Sequence, residues 1–174
     1  IKICTNPTNL GISEGLNEAL KIARGEFIGL LDHDDVLDRA ALYYVAKALN
    51  DNPNLDVVYT DRDHIDENGV RCDPYFKPDW SPHTILSHNY VIHFLVAKAS
   101  LLKDVGGFRK EFDGSQDYDL ILRLSEKTTR IARIPRVLYS WRRHRGSSSV
   151  TPRMIAYENA QKAISEALHR RGAE

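Results

Sequence analysis

Residues 30 to 37 read LLDHDDVL, so that Asp32, Asp34 and Asp35 crowd three carboxylates onto the end of the apolar run Phe27 to Leu31. Like charges this close repel, and the repulsion raises the pKa of one of them unless a cation neutralises the group. Carboxylates alternating at a strand exit suit a hard divalent ion such as Mg2+ or Mn2+, which takes oxygen ligands and commonly shares them with a substrate's phosphates. A seat for a metal and a diphosphate is the chemistry this spacing offers. A plainer arrangement accounts for the same letters equally well: Asp35 or Asp38 caps a helix while the others face water.

Two more groups carry chemistry of their own. The stretch GSQDYDL places Asp117 and Asp119 at the start of a helix, after the glycine pair and loop of VGGFRKEFDG, where backbone N–H groups and the helix dipole favour anions. A carboxylate held there stays ionised, as a general base must be, although ordinary acidic first turns are as common. In YSWRRHRG, His144 stands among Arg142, Arg143 and Arg145. Neighbouring guanidinium groups push an imidazole towards the neutral form that ligates metal, while a lone histidine in a basic loop is more often a surface residue.

The elements that must position these groups are legible in outline. IKICT is a short strand-like run and NPTNLG a loop; Ser13 is a cap for a helix carrying Leu16, Ala19, Leu20 and Ala23, with Gly25 at its left-handed end. EFIGLL is a buried strand, Asp38 caps a helix with Leu42, Val45, Ala46 and Leu49, and LDVVYT is the next strand. This alternation predicts an open α/β sheet with parallel neighbours, whose ligands bind beyond the carboxyl ends of the strands. The acidic cluster lies there. The segment 61–90, with three prolines around aromatics in DPYFKPDWSP, is a long excursion over the sheet in which Tyr75, Phe76 and Trp80 either stack on sugar faces or pin the loop to the body. A helix from about Ser115 buries Leu120, Ile121 and Leu124, two short strands RIARI and VLYSW follow, and an amphipathic helix from Pro152 to about Arg171 presents Tyr157, Ala160, Ile164, Ala167 and Leu168.

Composition narrows the function classes. The 174 residues hold 24 Lys and Arg against 24 Asp and Glu, so no net field recommends nucleic acid or an acidic membrane as partner. The two cysteines, Cys4 and Cys72, have neither metal-ligand spacing nor the density of a secreted disulfide framework, which makes a reducing cytoplasm the default. No apolar stretch approaches the roughly 18 residues a membrane span needs. The expectation is a soluble chain, at most peripheral at the inner face of the plasma membrane.

In combination, NLGISEGLNEALKIARGEFIGLLDHDD, GGFRKEFDGSQDYDLILRL and IPRVLYSWRRHRGS resemble the family-two glycosyltransferases of GT-A fold, with closest kinship to bacterial enzymes of O-antigen, rhamnan and related surface-polysaccharide assembly. The resemblance runs from about Ile3 to Ser147, which makes 1–150 a catalytic core and 151–174 a helix packed on it. It implies a GT-A-like, open, mixed and mainly parallel sheet flanked by helices and missing the family's first strands. It also implies inverting transfer from a nucleoside-diphosphate sugar to a saccharide or lipid-linked acceptor, with Mg2+ or Mn2+.

The family's Asp-x-Asp motif falls on Asp32, His33 and Asp34, with Asp34 the main metal ligand and Asp32 facing metal and nucleotide sugar. The histidine that closes the metal site falls on His144. The catalytic base falls on Asp117, with Gln116 where glutamate is usual. Gly106 and Gly107 match the glycine-rich loop that lets acceptor and donor approach the backbone, and Trp80 and Gln116 join them as acceptor contacts. Asn9, Gly11 and Asn17 match the donor-side segment, with Leu16 replacing a frequent arginine. Because the family's opening strands hold the nucleotide base, a non-catalytic core that self-associates through its truncated edge is the alternative expectation. A haloacid-dehalogenase-like phosphatase, with Asp32 as nucleophile, Asp34 as general acid and Thr60 on a later strand, is a third; Lys77 and the remaining order fit it poorly.

Overall fold

The structure is a computed structural model that describes residues 2–143 and 153–173. Helix α1 (Ile12–Ile22) leads to β1 (Phe27–Gly29), the acidic turn, β2 (Val36–Leu37) and helix α2 (Ala41–Asp51). Strand β3 (Val57–Ile65) follows, then β4 (Arg71–Tyr75), the excursion, β5 (Leu95–Lys98) and the short α3 (Ala99–Asp104). Helix α4 (Gln116–Lys127), the long strand β6 (Ile131–Arg142) and α5 (Arg153–Arg170) complete the chain. The N-cap of α2 is Ala40, without a side-chain cap, and Asp38 instead shapes the turn ahead of the helix, its Oδ1 accepting the Ala40 N–H at 2.9 Å and its carbonyl accepting that of Ala41.

One sheet of order β1-β5-β3-β6-β2 runs through the molecule, with β4 pairing the outer half of β3. The sheet is mixed, and β1, β3 and β6 share a direction, as helical crossovers require. Parallel neighbours are fewer than the alternation predicts. Among the described residues only β3 and β6 pair in parallel, because the segment returning from the excursion enters as β5, antiparallel, between β1 and β3.

The two strands expected in RIARI and VLYSW are one. Between the pairs Thr60–Ile134 and Asp61–Val137 the register shifts, so Pro135 and Arg136 bulge out of the ladder. Proline has no N–H to give to a ladder, and a bulge absorbs it without ending the strand.

Alternation along β3 builds the two layers of core. Val57 and Tyr59 pack with Leu95, Leu120, Leu124, Ala163 and Ala167 on the face covered by α3, α4 and α5. Val58 packs with Ala41, Val45, Phe94, Val96 and Tyr139 on the α2 face. Helix α5 sits on the body through Ala163 and Ala167, both fully buried, and through an Arg170–Glu126 ion pair of 2.7 Å, whereas Tyr157 is exposed. No described helix is long and apolar enough to cross a membrane.

Candidate active site

The acidic turn leaves β1 at its carboxyl end and is fastened to the end of β6. The Tyr139 hydroxyl donates to Asp35 Oδ2, the Arg142 N–H donates to Asp35 Oδ1 at 2.8 Å, and Arg142 Nε donates to the Asp34 carbonyl at 2.6 Å. Asp35 is therefore the anchor of the turn. Burial raises its carboxyl pKa against the pull of these two hydrogen bonds. Asp32 and Asp34 present their carboxylates beside it, with side chains 56% and 30% exposed, while the His33 side chain points into water. Partial burial, then the charges of Asp35 and Asp34, hold Asp32 above the ordinary carboxylate range. Crowded carboxylate oxygens are the donor set a hard divalent cation would relieve, so Asp32 and Asp34 fit such an ion as far as two ligands go. The third expected ligand, His144, lies outside the described residues. Among those described, no group of three His, Cys, Asp or Glu converges on a metal position.

Asp117 and Asp119 look alike in the sequence, and the structure separates them. Asp119 is fully buried and held by Arg109 and by Arg123, whose Nε and Nη2 donate at 2.9 and 2.6 Å. Burial alone would raise its pKa; the two guanidinium groups outweigh that and hold it below the usual range. Asp117 has no arginine partner among the described residues; its Oδ1 accepts the Tyr118 N–H at 2.7 Å. Burial, reinforced by the negative charge of Asp32, pushes it up to about 6. The two carboxylates thus sense each other electrostatically, and a carboxyl raised this far can exchange a proton near neutral pH. Gln116 turns back, its Oε1 accepting the Gly114 N–H at 2.8 Å.

The structure adds His93, which sequence reasoning missed. Its ring stacks on Tyr139 at 5.1 Å, meets Trp141 edge-on at 5.5 Å and brings Nε2 within 3.8 Å of Asp32 Oδ2. Burial, then the charges of Lys77 and Arg62, push its pKa down to about 3, so it faces the carboxylate as a neutral ring. Nothing in YVIHFLV distinguishes it from a histidine filling an apolar strand.

The remaining expected residues gather elsewhere. Asn17 clasps the glycine loop, its Nδ2 donating to the Phe108 carbonyl at 2.8 Å and its Oδ1 accepting the Phe108 N–H at 2.9 Å. Gly106 and Gly107 lie in that loop at φ +79° and +69°, and Arg123 donates to the Gly107 carbonyl at 2.8 Å. With Leu10, Leu20, Ile28 and Leu102 they line a cavity of about 1070 Å3 beside α1, whose walls include none of Asp32, Asp34 and Asp117. Asn9 Oδ1 accepts the Gly11 N–H at 2.9 Å and shapes the start of α1. Ser13 is not the cap of that helix: it is buried, its N–H donating to Asp113 Oδ1 at 2.9 Å and its hydroxyl to the Arg109 carbonyl at 3.1 Å. The N-cap is Gly11, at φ +85°, and Asp113 receives one of the first helical N–H groups, that of Ser13. Trp80 packs half-buried against the core, 6.4 Å from Tyr90, and of the excursion's aromatics Phe76 is the one with an open face.

Comparison with known proteins identifies the family and the fold. Residues 1–105 match Glycosyl transferase family 2. The chain is 42% identical over 176 residues to the O-antigen biosynthesis protein RfbC of Myxococcus xanthus, covering 99% of this chain and 14% of that protein. It is 30% identical over 165 residues to a chondroitin synthase of Escherichia coli, covering 94% and 24%. The chain thus spans between 14% and 24% of the length of these relatives. Among solved structures, S. aureus TarS 1-349 in complex with UDP-GlcNAc superposes with a TM-score of 0.69 at 20% identity, over 91% of this chain and 47% of that one. A mannosyltransferase from Pyrobaculum calidifontis, in complex with GDP-Man and Mn2+, gives 0.54 at 18% identity, over 94% and 55%. Both likenesses concern the GT-A fold alone, and it is the family match, covering more than half the residues, that places this chain in glycosyl transferase family 2.

Proposed function

We propose that the chain is the catalytic core of an inverting glycosyltransferase that moves a sugar from a nucleoside diphosphate to a saccharide or lipid-linked acceptor in cell-surface polysaccharide synthesis. What carries this is the contrast between Asp117, whose carboxyl is pushed up to about 6 by burial and by the charge of Asp32, and its neighbour Asp119, which is tied to two arginines. Asp117 takes the proton of an acceptor hydroxyl, and the oxygen attacks the anomeric carbon on the face opposite the diphosphate. The bond to the diphosphate oxygen breaks with its electron pair, and the new glycosidic bond has the inverted configuration. General-base help of this kind is worth about 10²–10⁴ in rate.

Asp34 and Asp32, with His144, would hold Mg2+ or Mn2+. The ion supplies charge neutralisation for the departing diphosphate. Tyr139 and Arg142 keep the turn rigid, so the seat is set before donor arrives. Acceptor contacts fall to Trp80, Gln116 and the exposed Phe76. Gly106 and Gly107 act through the loop they shape, and Asn9, Gly11 and Asn17 act by fixing α1 on the donor side. Free Cys4 and Cys72 suit a reducing cytoplasm, where the acceptor could bring the protein to the membrane face.

The test is transfer from UDP- and GDP-sugars, with the anomeric configuration of donor and product read by proton NMR. Inversion that is lost in Asp117→Asn supports the reading; retention, or full activity in that variant, overturns it. A non-catalytic interaction unit has one observation in its favour: β1 ends the sheet and pairs only with β5 among the described residues. Solution mass separates the two, since that reading requires an oligomer.

A further inference from the structure

We propose that Lys77 is a positioning residue for this site: by holding the backbone carbonyls on either side of Ile92 it sets His93 against Asp32. The inference rests on the reading of Asp32 as part of the cation and diphosphate seat.

Lys77 belongs to the proline-rich excursion and is only 2% exposed. A lysine this deep needs partners, and a carboxylate would be the ordinary one. Asp61 is at hand but otherwise engaged: its Oδ1 accepts the backbone N–H of Lys77 at 2.9 Å and Arg133 Nη1 at 3.2 Å. The amine reaches past it, Nζ donating to the Val91 carbonyl at 2.8 Å and to the His93 carbonyl at 2.5 Å. Burial, then the charge of Arg62, push its pKa down to about 6 against the pull of Asp61. Two of the amine's hydrogens are thereby received by two carbonyls.

The consequence is carried by His93. Its backbone is fixed on one side by Lys77 and on the other by the β3 ladder, where the Thr60 N–H donates to the Phe94 carbonyl at 3.1 Å. Its ring is thereby placed on Tyr139, the residue whose hydroxyl anchors the acidic turn, with Nε2 at 3.8 Å from Asp32. The buried amine thus ties the excursion to the segment that carries His93, and His93 in turn faces Asp32. Loss of that amine frees the His93 backbone and lets the wall beside Asp32 shift.

The test compares Lys77→Met with Arg133→Met. The latter breaks the Asp61, Asp79 and Lys77-carbonyl contacts of the same excursion yet leaves the amine in place. The His93 ring protons, assigned with His93→Gln, report stacking on Tyr139 through their ring-current shift. That shift should collapse in Lys77→Met and survive in Arg133→Met; if it survives in both, or collapses in both, the link from Lys77 to His93 is wrong. Should Lys77→Met not fold, Lys77→Gln, whose shorter amide retains one donor, should give an intermediate shift, and an unaltered shift overturns the proposal. Titration of Mn2+ with UDP or GDP then reads the functional half: Lys77→Met should bind about tenfold more weakly, the low end of what outer-shell changes cost. Arg133→Met should stay within about twofold of wild type. Unweakened binding in Lys77→Met, with the ring shift lost, overturns the positioning role. A wild type that binds neither nucleotide with Mn2+ removes the proposed function instead, and the ring shifts still decide the Lys77 link.

Discussion

Asp117 and Asp119 stand two residues apart, and neutralising each should have opposite consequences. Asp119→Asn leaves the Arg109 and Arg123 guanidinium groups facing an amide in a site where the native side chain is fully buried. Removing one partner of a buried pair costs about 3–5 kcal/mol. Arg109 keeps Glu166 at 2.9 Å, and Arg123 keeps the Val105 and Gly107 carbonyls at 2.6 and 2.8 Å, so the low end applies, about 3 kcal/mol. For a chain of this size that is a fall in Tm of roughly 6–12 °C. The sign against pH follows from the lowered pKa. The stabilisation is present above the unfolded carboxylate range and is lost as pH falls through the folded value, so the two proteins should converge in acid. Asp117→Asn removes a charge that burial disfavours, so its Tm should hold or rise while turnover drops by about 10²–10⁴. Calorimetric melting and initial-rate assays on both variants check this. A stable Asp119→Asn, or an Asp117→Asn that melts early and keeps its turnover, would refute the division of labour.

Because the Asp117 pKa is raised to about 6, activity should rise with pH through that value and level off above it; a flat profile between pH 5 and 7 contradicts its role as base. Asp32→Asn should lower the Asp117 pKa, since Asp32's charge is one of the causes of its elevation, and an unchanged value in a carboxyl-carbon NMR titration would mean that the two do not interact. Tyr139→Phe removes the hydroxyl that donates to Asp35 and accepts the Asp32 N–H at 3.4 Å, and should cost about 1–2 kcal/mol in denaturant unfolding while weakening cation binding. Gly107→Ala should cost about 1–3 kcal/mol, because φ is +69° and the new Cβ would lie 2.5 Å from Asn17 Oδ1; an unchanged denaturation midpoint would mean that the clasp is slack.

Where local pattern decides structure, the sequence was transparent. Helices α2 and α4 and the β-rich run of β3 form where the periodicity puts them, although Leu42 and Ala46 of the expected α2 face are exposed, and the carboxylates do sit at the carboxyl end of a strand. What escaped was long-range pairing. No local signal says that 95–98 will insert between β1 and β3, and that insertion brings His93 to Asp32 from 61 positions away along the chain. Nor does the letter D separate a base from a structural anchor. Asp119 and Asp35 owe their roles to partners at Arg109, Arg123, Tyr139 and Arg142, which only the folded sheet assembles. Asn17 and the glycine pair carried a family pattern, and what the fold shows of them is a clasp between α1 and the loop before α4.

The most direct measurement is calorimetric titration of Mn2+, with and without UDP, GDP and dTDP, into the wild type and Asp34→Ala. A cation seat made by the acidic turn predicts that one nucleoside diphosphate binds only when metal is present and that Asp34→Ala, folded, loses it. Nucleotide binding that is indifferent to metal, or that survives intact in Asp34→Ala, would contradict the account.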